Sequence, residues 1–199
     1  MKRKVVVLLL VLFSLMASFV SIAEQSDLSI DMLKVKASQG DSEAQFYLGG
    51  LYYFGKGIEQ DYEQAKIWME KSANQGHSDA QFGLGNLYDL GEGIKQDYKL
   101  AKIWYEKAAN QGNTNAQFNL GYLYYYGWGI KQNHKLAKKW FEKAANQEDK
   151  NAQFALGILA YLGQGAKQDY RVAKKWFIKA CDNGVQVGCD KLDELTHQK

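Results

Sequence analysis

Apolar side chains recur along this sequence at helical spacing, and the spacing itself repeats. Ala44, Leu48, Leu51 and Tyr52 fall at i, i+4, i+7 and i+8, one stripe along a helix. Gly55-Lys56-Gly57 ends that stripe, because glycine takes a positive φ without a steric penalty. Asp61 supplies an N-cap for a second helix, in which Ala65, Trp68, Met69 and Ser72 share a face until Gly76. The pattern then restarts at Ala80, Ala116 and Ala152, always 36 residues on.

Each restart opens with Ala-Gln-Phe. Leu48, Leu84, Leu120 and Leu156 hold one register and are followed by Gly49, Gly85, Gly121 and Gly157. Gly-x-Gly pairs fall at Gly55/Gly57, Gly91/Gly93, Gly127/Gly129 and Gly163/Gly165. Asp61, Asp97, Asn133 and Asp169 share the capping position, and Trp68, Trp104, Trp140 and Trp176 lie three residues after Ala65, Ala101, Ala137 and Ala173. Thirteen of the 36 positions are identical in all four copies. The pattern predicts four helix pairs over residues 44–79, 80–115, 116–151 and 152–187. Gly49 and Ala65 would let paired helices approach closely, with Trp68 filling the space beside them.

Half-repeats flank the four copies. In the segment 24–43, Ala37, Gln39 and Gly40 match Ala73, Gln75 and Gly76 of a second helix. In the segment 188–199, Leu192 and Leu195 take first-helix apolar positions while Asp190, Asp193 and Glu194 replace others, as an end exposed to water requires. About ten helices and no strand are expected, an all-α solenoid. The composition agrees: 19 glycines and no proline leave glycine to make the breaks.

The formal charge of +3 loses its meaning once located. Lys2, Arg3 and Lys4 precede the uncharged run from Val5 to Ala23, and without them 22 basic residues face 22 acidic ones. A nucleic-acid partner, which needs a dense basic face, is not expected. The same N-terminal segment has the basic, apolar and small-residue order of a signal peptide over residues 1–23, with Ser21-Ile22-Ala23 placing cleavage before Glu24. An uncleaved anchor is the competing reading, since Val5 to Ala23 is 19 residues long and about 20 cross a bilayer. No cysteine follows the run, so a lipoprotein is not indicated. Export to a bacterial periplasm or the medium is expected, with an endoplasmic-reticulum lumen as the alternative.

Export changes how Cys181 and Cys189 read. An oxidising compartment favours pairing them, and with three scattered histidines they are too few for a metal site. Neither cofactor nor metal is expected. The chain holds no G-x-S-x-G elbow, phosphate loop or H-E-x-x-H motif. His77 falls at a turn, His134 occupies the place of Tyr62 and Tyr98, and His197 lies in the tail, so no catalytic residue is named.

The motif A-x-x-x-L-G-x-L-Y-x-x-G-x-G-I-x-x-D-x-x-x-A-x-x-W-x-x-x-A resembles the Sel-1-like repeat, a relative of the tetratricopeptide repeat, over roughly residues 27–197. The resemblance implies an α-α superhelix of helix pairs that works as an adaptor, with a protein partner, no membrane span after signal cleavage, and a monomeric state. By analogy with the tetratricopeptide groove, first helices line a concave face, which positions two, five, six and eight residues after the Leu-Gly leucine would present. These are Gly50, Tyr53, Phe54 and Lys56; Asn86, Asp89, Leu90 and Glu92; Tyr122, Tyr125, Tyr126 and Trp128; and Ile158, Tyr161, Leu162 and Gln164. Aromatic residues concentrate in the third set, and tyrosine and tryptophan give large contact area with few rotors to freeze. Tyr53, Phe54, Tyr122, Tyr125, Tyr126, Trp128 and Tyr161 are the candidate binding residues, although aromatics at helical spacing also serve packing.

Three departures stand out. Glu148 replaces the glycine of Gly76, Gly112 and Gly184, so that junction either turns differently or costs about 1 kcal/mol. Ala160 replaces the tyrosine of Tyr52, Tyr88 and Tyr124, thinning the last repeat. Cys181 and Cys189 stand in the places of Ala145 and Gln153, and their spacing resembles the cysteine-rich branch of the family, where such a pair ties a second helix to the next first helix. A disulfide there would clasp the C-terminal end for roughly 2–3 kcal/mol. That branch also suggests an alternative, binding or hydrolysis of penicillin-like compounds. A cell-wall or polysaccharide scaffold is a third reading, because the same aromatics stack on sugars.

Overall fold

The computed structural model describes residues 30–197, and the segment 1–23, expected to be a signal peptide, lies outside them. Among the described residues ten helices follow one another: α1 (Ile30–Ser38), α2 (Ser42–Phe54), α3 (Tyr62–Asn74), α4 (Ser78–Leu90), α5 (Tyr98–Asn110), α6 (Thr114–Tyr126), α7 (His134–Ala145), α8 (Lys150–Leu162), α9 (Tyr170–Asp182) and α10 (Gln186–His197). The described residues contain no strand. The chain forms two compact units, up to Ala108 and from Ala109, and the break falls within the last turn of α5. Within each unit, helices consecutive in sequence pack on one another.

Side chains start the helices where the repeat predicts. Asp61, Asn133 and Asp169 cap α3, α7 and α9 by accepting backbone N–H groups, and Asp97 does the same for α5. The first helices of the repeats are capped by Asp41, His77, Asn113 and Asp149. His77 therefore has a structural role, accepting the N–H of Ala80 on its Nδ1 at 3.3 Å.

The Gly-x-Gly loops close the first helices with equal economy. At the end of α2, the carbonyls of Leu51, Tyr52 and Tyr53 would lack intrahelical partners. They accept from Gly55 N–H, Asp61 N–H and the Gln60 amide. Gln96, Gln132 and Gln168 repeat the amide contact to the carbonyls of Asp89, Tyr125 and Tyr161. Replacing tyrosine by Ala160 does not disturb the backbone bond, since Asp169 N–H still reaches the Ala160 carbonyl at 3.0 Å.

The core corrects one expectation. The Leu-Gly glycine and the facing alanine do bring paired helices together, but the invariant tryptophan does not fill the gap. The next residue does. A Cβ at Gly49, Gly85, Gly121 or Gly157 would lie 2.5–2.8 Å from Met69, Tyr105, Phe141 or Phe177, side chains that are 0–5% exposed. Trp104 is buried, while Trp68, Trp140 and Trp176 are half-buried and lie one position round the helix. Each tryptophan carries a lysine over its ring: Lys71, Lys107, Lys143 and Lys179 place Nζ 3.8–4.8 Å from the centroids. Trp104 belongs to a core cluster and Trp68 and Trp176 pack against others, so the ring has a core-packing role on one side and a lysine over its outer face on the other.

Glu148 resolves the other open expectation. It adopts φ 65°, in the left-handed region used by Gly40, Gly76, Gly112 and Gly184, and its N–H reaches the Ala145 carbonyl as that of Gly112 reaches Ala109. The junction turns in the same way as the others and bears the steric cost of a side chain there.

Candidate functional site

The variable positions of the repeats fall in the last turns of the first helices and in the loops that follow, where the caps and glutamine contacts hold the backbone. In the first repeat Gly50 and Tyr53 turn inward, Tyr53 being 8% exposed. The Tyr53 hydroxyl donates to Glu92 Oε2 at 2.6 Å, and its ring meets Phe54 and Tyr62 edge-on at 4.8 and 5.4 Å. Burial, then the Glu92 contact, pushes the Tyr53 hydroxyl well above the usual phenol range. Lys56 Nζ stands 5.9 Å from the Phe54 ring.

The second repeat is polar at the same positions. Tyr105 from α5 places its hydroxyl 2.7 Å from Asn86 Oδ1 and 3.0 Å from Asp89 Oδ2. One hydroxyl proton serves two acceptors there. Burial raises the Asp89 carboxyl to about 6, against the opposing pull of the Tyr105 contact. This network went unseen in the sequence. Its one signal was Tyr105 itself, a tyrosine where the other copies carry Met69, Phe141 and Phe177.

In the third repeat the same positions are aromatic. Tyr126 and Trp128 stack at 4.7 Å with planes 11° apart, and Tyr122 approaches Tyr126 at 5.1 Å and Trp128 at 6.4 Å. Tyr125 meets Tyr126 edge-on at 4.7 Å and His134 at 5.2 Å. Tyr122 and Tyr125 rest on the core formed by Phe141, Leu156 and Leu159, while Tyr126 is 37% exposed. A rigid base and an open ring make this a surface able to bury apolar area on a partner at small entropic cost.

The fourth repeat places Tyr161 against Tyr170 at 5.4 Å and leaves Leu162 half exposed. Gln164 Oε1 is shielded from solvent without a hydrogen-bond partner, and so is His134 Nδ1. At the chain's end Cys181 and Cys189 form a disulfide, with Cα atoms 4.8 Å apart, that joins α9 to α10. Among the described residues, no three His, Cys, Asp or Glu side chains gather as a metal would need. No described helix is long and apolar enough to cross a membrane.

The family model described as Sel1 repeat matches residues 42–77, 78–113, 114–149 and 150–185. Its units begin two residues before the Ala-Gln-Phe triplets, directly after the N-caps Asp41, His77, Asn113 and Asp149. Among solved structures, a protective antigen of uropathogenic Escherichia coli displaying this repeat fold is 38% identical, with a TM-score of 0.81 over 83% of this chain and 36% of its own. A Sel1 repeat protein from Oxalobacter formigenes is 36% identical, with a TM-score of 0.74 over 83% of this chain and 48% of its own. The chain thus spans about a third and about half the length of these two proteins. Cysteine-rich protein B of Helicobacter pylori shares the fold at 23% identity and a TM-score of 0.53, over 67% of this chain and 96% of its own. No curated protein matches the chain.

Proposed function

The chain belongs to the Sel1 repeat family, and from that membership we propose that it is an exported scaffold that presents the first helices of its repeats to a protein partner. Sel1 repeat proteins are generally protein-interaction scaffolds. The observation that carries the reading is the open aromatic face of the third repeat, where Tyr126 and Trp128 stack over a base of Tyr122 and Tyr125. Aromatic anchors on a rigid base are what binding hot spots are made of. Tyr53 contributes from beneath, holding Glu92, rather than by touching a partner. Export is supported by the N-terminal basic and apolar order and by the Cys181–Cys189 disulfide, which persists in oxidising compartments.

Crosslinking in the native compartment followed by capture tests the reading. The wild-type chain should retain a protein partner that the Tyr122→Ala, Tyr126→Ala, Trp128→Ala triple variant loses. If every captured protein stays bound to the variant, the third-repeat face is not the docking site. The intact mass of the captured chain should begin at Glu24 and be two hydrogens lighter than the dithiol form.

A further inference from the structure

From Glu24 onward the chain is neutral, yet its charge is divided between the two compact units. Residues 24–108 hold 14 acidic and 9 basic side chains, and residues 109–199 hold 8 acidic and 13 basic ones. The negative excess of one unit equals the positive excess of the other. The repeats show where the sign changes. Glu59 and Glu63, at the corner where α3 begins, become Lys131 and Lys135 at the start of α7 and Lys167 and Arg171 at the start of α9. All six side chains are exposed. None of them makes an ion pair among the described residues; the pairs on α5 and α7 join Lys102 to Glu106 and Lys138 to Glu142. The capping residue inside each corner, Asp61, Asn133 or Asp169, is engaged by helix N–H groups. Helices α7 and α9 both pack on α8, so the two basic corners belong to one module.

We propose that the basic corners of α7 and α9 dock the acidic corner of α3 in a second copy of this chain. Charge selects the occupant. A nucleic acid or an anionic bilayer carries one sign, so at long range it is attracted by one unit and repelled by the other. A second copy carries both signs in matched amounts and is attracted through each. The match is also positional: the acids and each basic pair stand four residues apart at the same kind of helix start. Rim charges steer association more than they hold it, and holding it requires apolar area. Ile67, 39% exposed, continues the acidic stripe four residues beyond Glu63. Val172 and Ile178, 40% and 38% exposed, lie on α9 beside its cations. Salt screens pairs of this kind, so the association is weak, concentration-dependent and strongest at low ionic strength. It departs from the monomeric state that the family resemblance implies.

Sedimentation of the exported chain over a range of concentrations tests the proposal. The average mass should rise with concentration at about 20 mM salt and return to that of the monomer at about 0.5 M, where screening acts within about 5 Å. Two variants separate the faces. Lys131→Glu, Lys135→Glu, Lys167→Glu and Arg171→Glu together turn the basic corners acidic, and Glu59→Lys with Glu63→Lys turns the acidic corner basic. Each substitution installs a residue that an equivalent repeat already carries, so the fold accepts it. Either variant alone should associate about tenfold or more weakly than the parent, because like charges then meet. An equimolar mixture of the two should recover the association, which misfolding of either would prevent. A parent that stays monomeric at about 1 mM and low salt overturns the proposal. So does association that salt leaves unchanged, or a mixture no better than its components. A monomeric parent that binds phosphatidylglycerol vesicles, when the four-residue variant does not, would overturn it in favour of a lipid surface. Partner capture by the aromatic face of the third repeat is a separate measurement, so either reading can fail without the other.

Discussion

The junction of repeats one and two and the junction of repeats three and four are built from the same positions and reach opposite ends. In the first, an acid and two tyrosines complete one another: Tyr53 is buried, its hydroxyl is held by Glu92, and the neighbouring Tyr105 engages Asn86 and Asp89. In the second, Phe141 replaces Tyr105, so the residues above it have no hydroxyl to engage and become Tyr122 and Tyr125 instead of Asn86 and Asp89. Polar positions pair with a polar anchor, and aromatic positions with an aromatic one. The difference teaches that the side chain packed against the Leu-Gly glycine decides what its repeat can show at the surface. A hydroxyl there draws polar groups inward and closes the face, while a bare ring leaves it apolar and open.

Truncating the tyrosine that heads each junction should break this comparison most visibly. Tyr53→Ala removes a buried ring and orphans Glu92, so a loss of about 3–5 kcal/mol is expected, as for other buried aromatic truncations. Tyr125→Ala removes a half-buried ring that packs on Tyr126 and His134 but is held by no carboxylate, and should cost about 1–2 kcal/mol. Urea unfolding of the two variants measures both. Equal losses would mean that the second junction is as closed as the first, and the open-face reading would fail with it.

Much of this architecture was legible in the sequence, for identifiable reasons. The 36-residue period, the glycine breaks and the Asp61-type caps are local features whose physics does not depend on neighbours, so each could be placed before any packing was known. The anchor facing the glycine was only half legible: the sequence put Met69 on one face with Trp68, but gave the space beside Gly49 to the strictly repeated tryptophan rather than to the variable position of Met69, Tyr105, Phe141 and Phe177. Invariance marked the tryptophan's cation partner at the rim, while the core tolerated any large side chain that fitted. Nor could the sequence separate Tyr53, which is buried, from Tyr125, which is not, since they share a register. What separates them is Glu92 against Gln164, 39 residues away in each case.

A smaller effect sharpens the acidic half of the comparison. Burial raises Asp89 to about 6, against an ordinary value near 4. Below pH ~4 the carboxyl is protonated in both folded and unfolded chains, and its contribution is fully present. As pH rises from ~4 to ~6 the unfolded chain releases the proton first, so stability falls across that window and stays lower above it. Asp89→Asn removes this slope and should stabilise the protein by about 1–2 kcal/mol at pH 7, with little change below pH 4. Burial raises Asp149 as well, so the measurement is the difference between variant and parent across the window. An unchanged slope would remove Asp89 as its source.

The smallest effect isolates the backbone from everything else that distinguishes the junctions. Glu148 holds φ 65° where Gly112, in the same turn one repeat earlier, holds 94°. A side chain in that region is strained by roughly 1–2 kcal/mol. Glycine recovers the strain but loosens the unfolded chain by about 0.4–1 kcal/mol, so Glu148→Gly should stabilise by only about 0.5 kcal/mol. The reverse change tests whether strain is the whole account. A Cβ added at Gly112 meets no atom within 4 Å, so Gly112→Glu changes φ preference and little else. If it costs the same 0.5 kcal/mol or so with the sign reversed, the two turns are interchangeable. The contrast between the junctions then lies wholly in the side chains above them. If Glu148→Gly instead destabilises, the Glu148 side chain supplies an interaction that outweighs its strained backbone, and the turn itself becomes part of what makes the third repeat different.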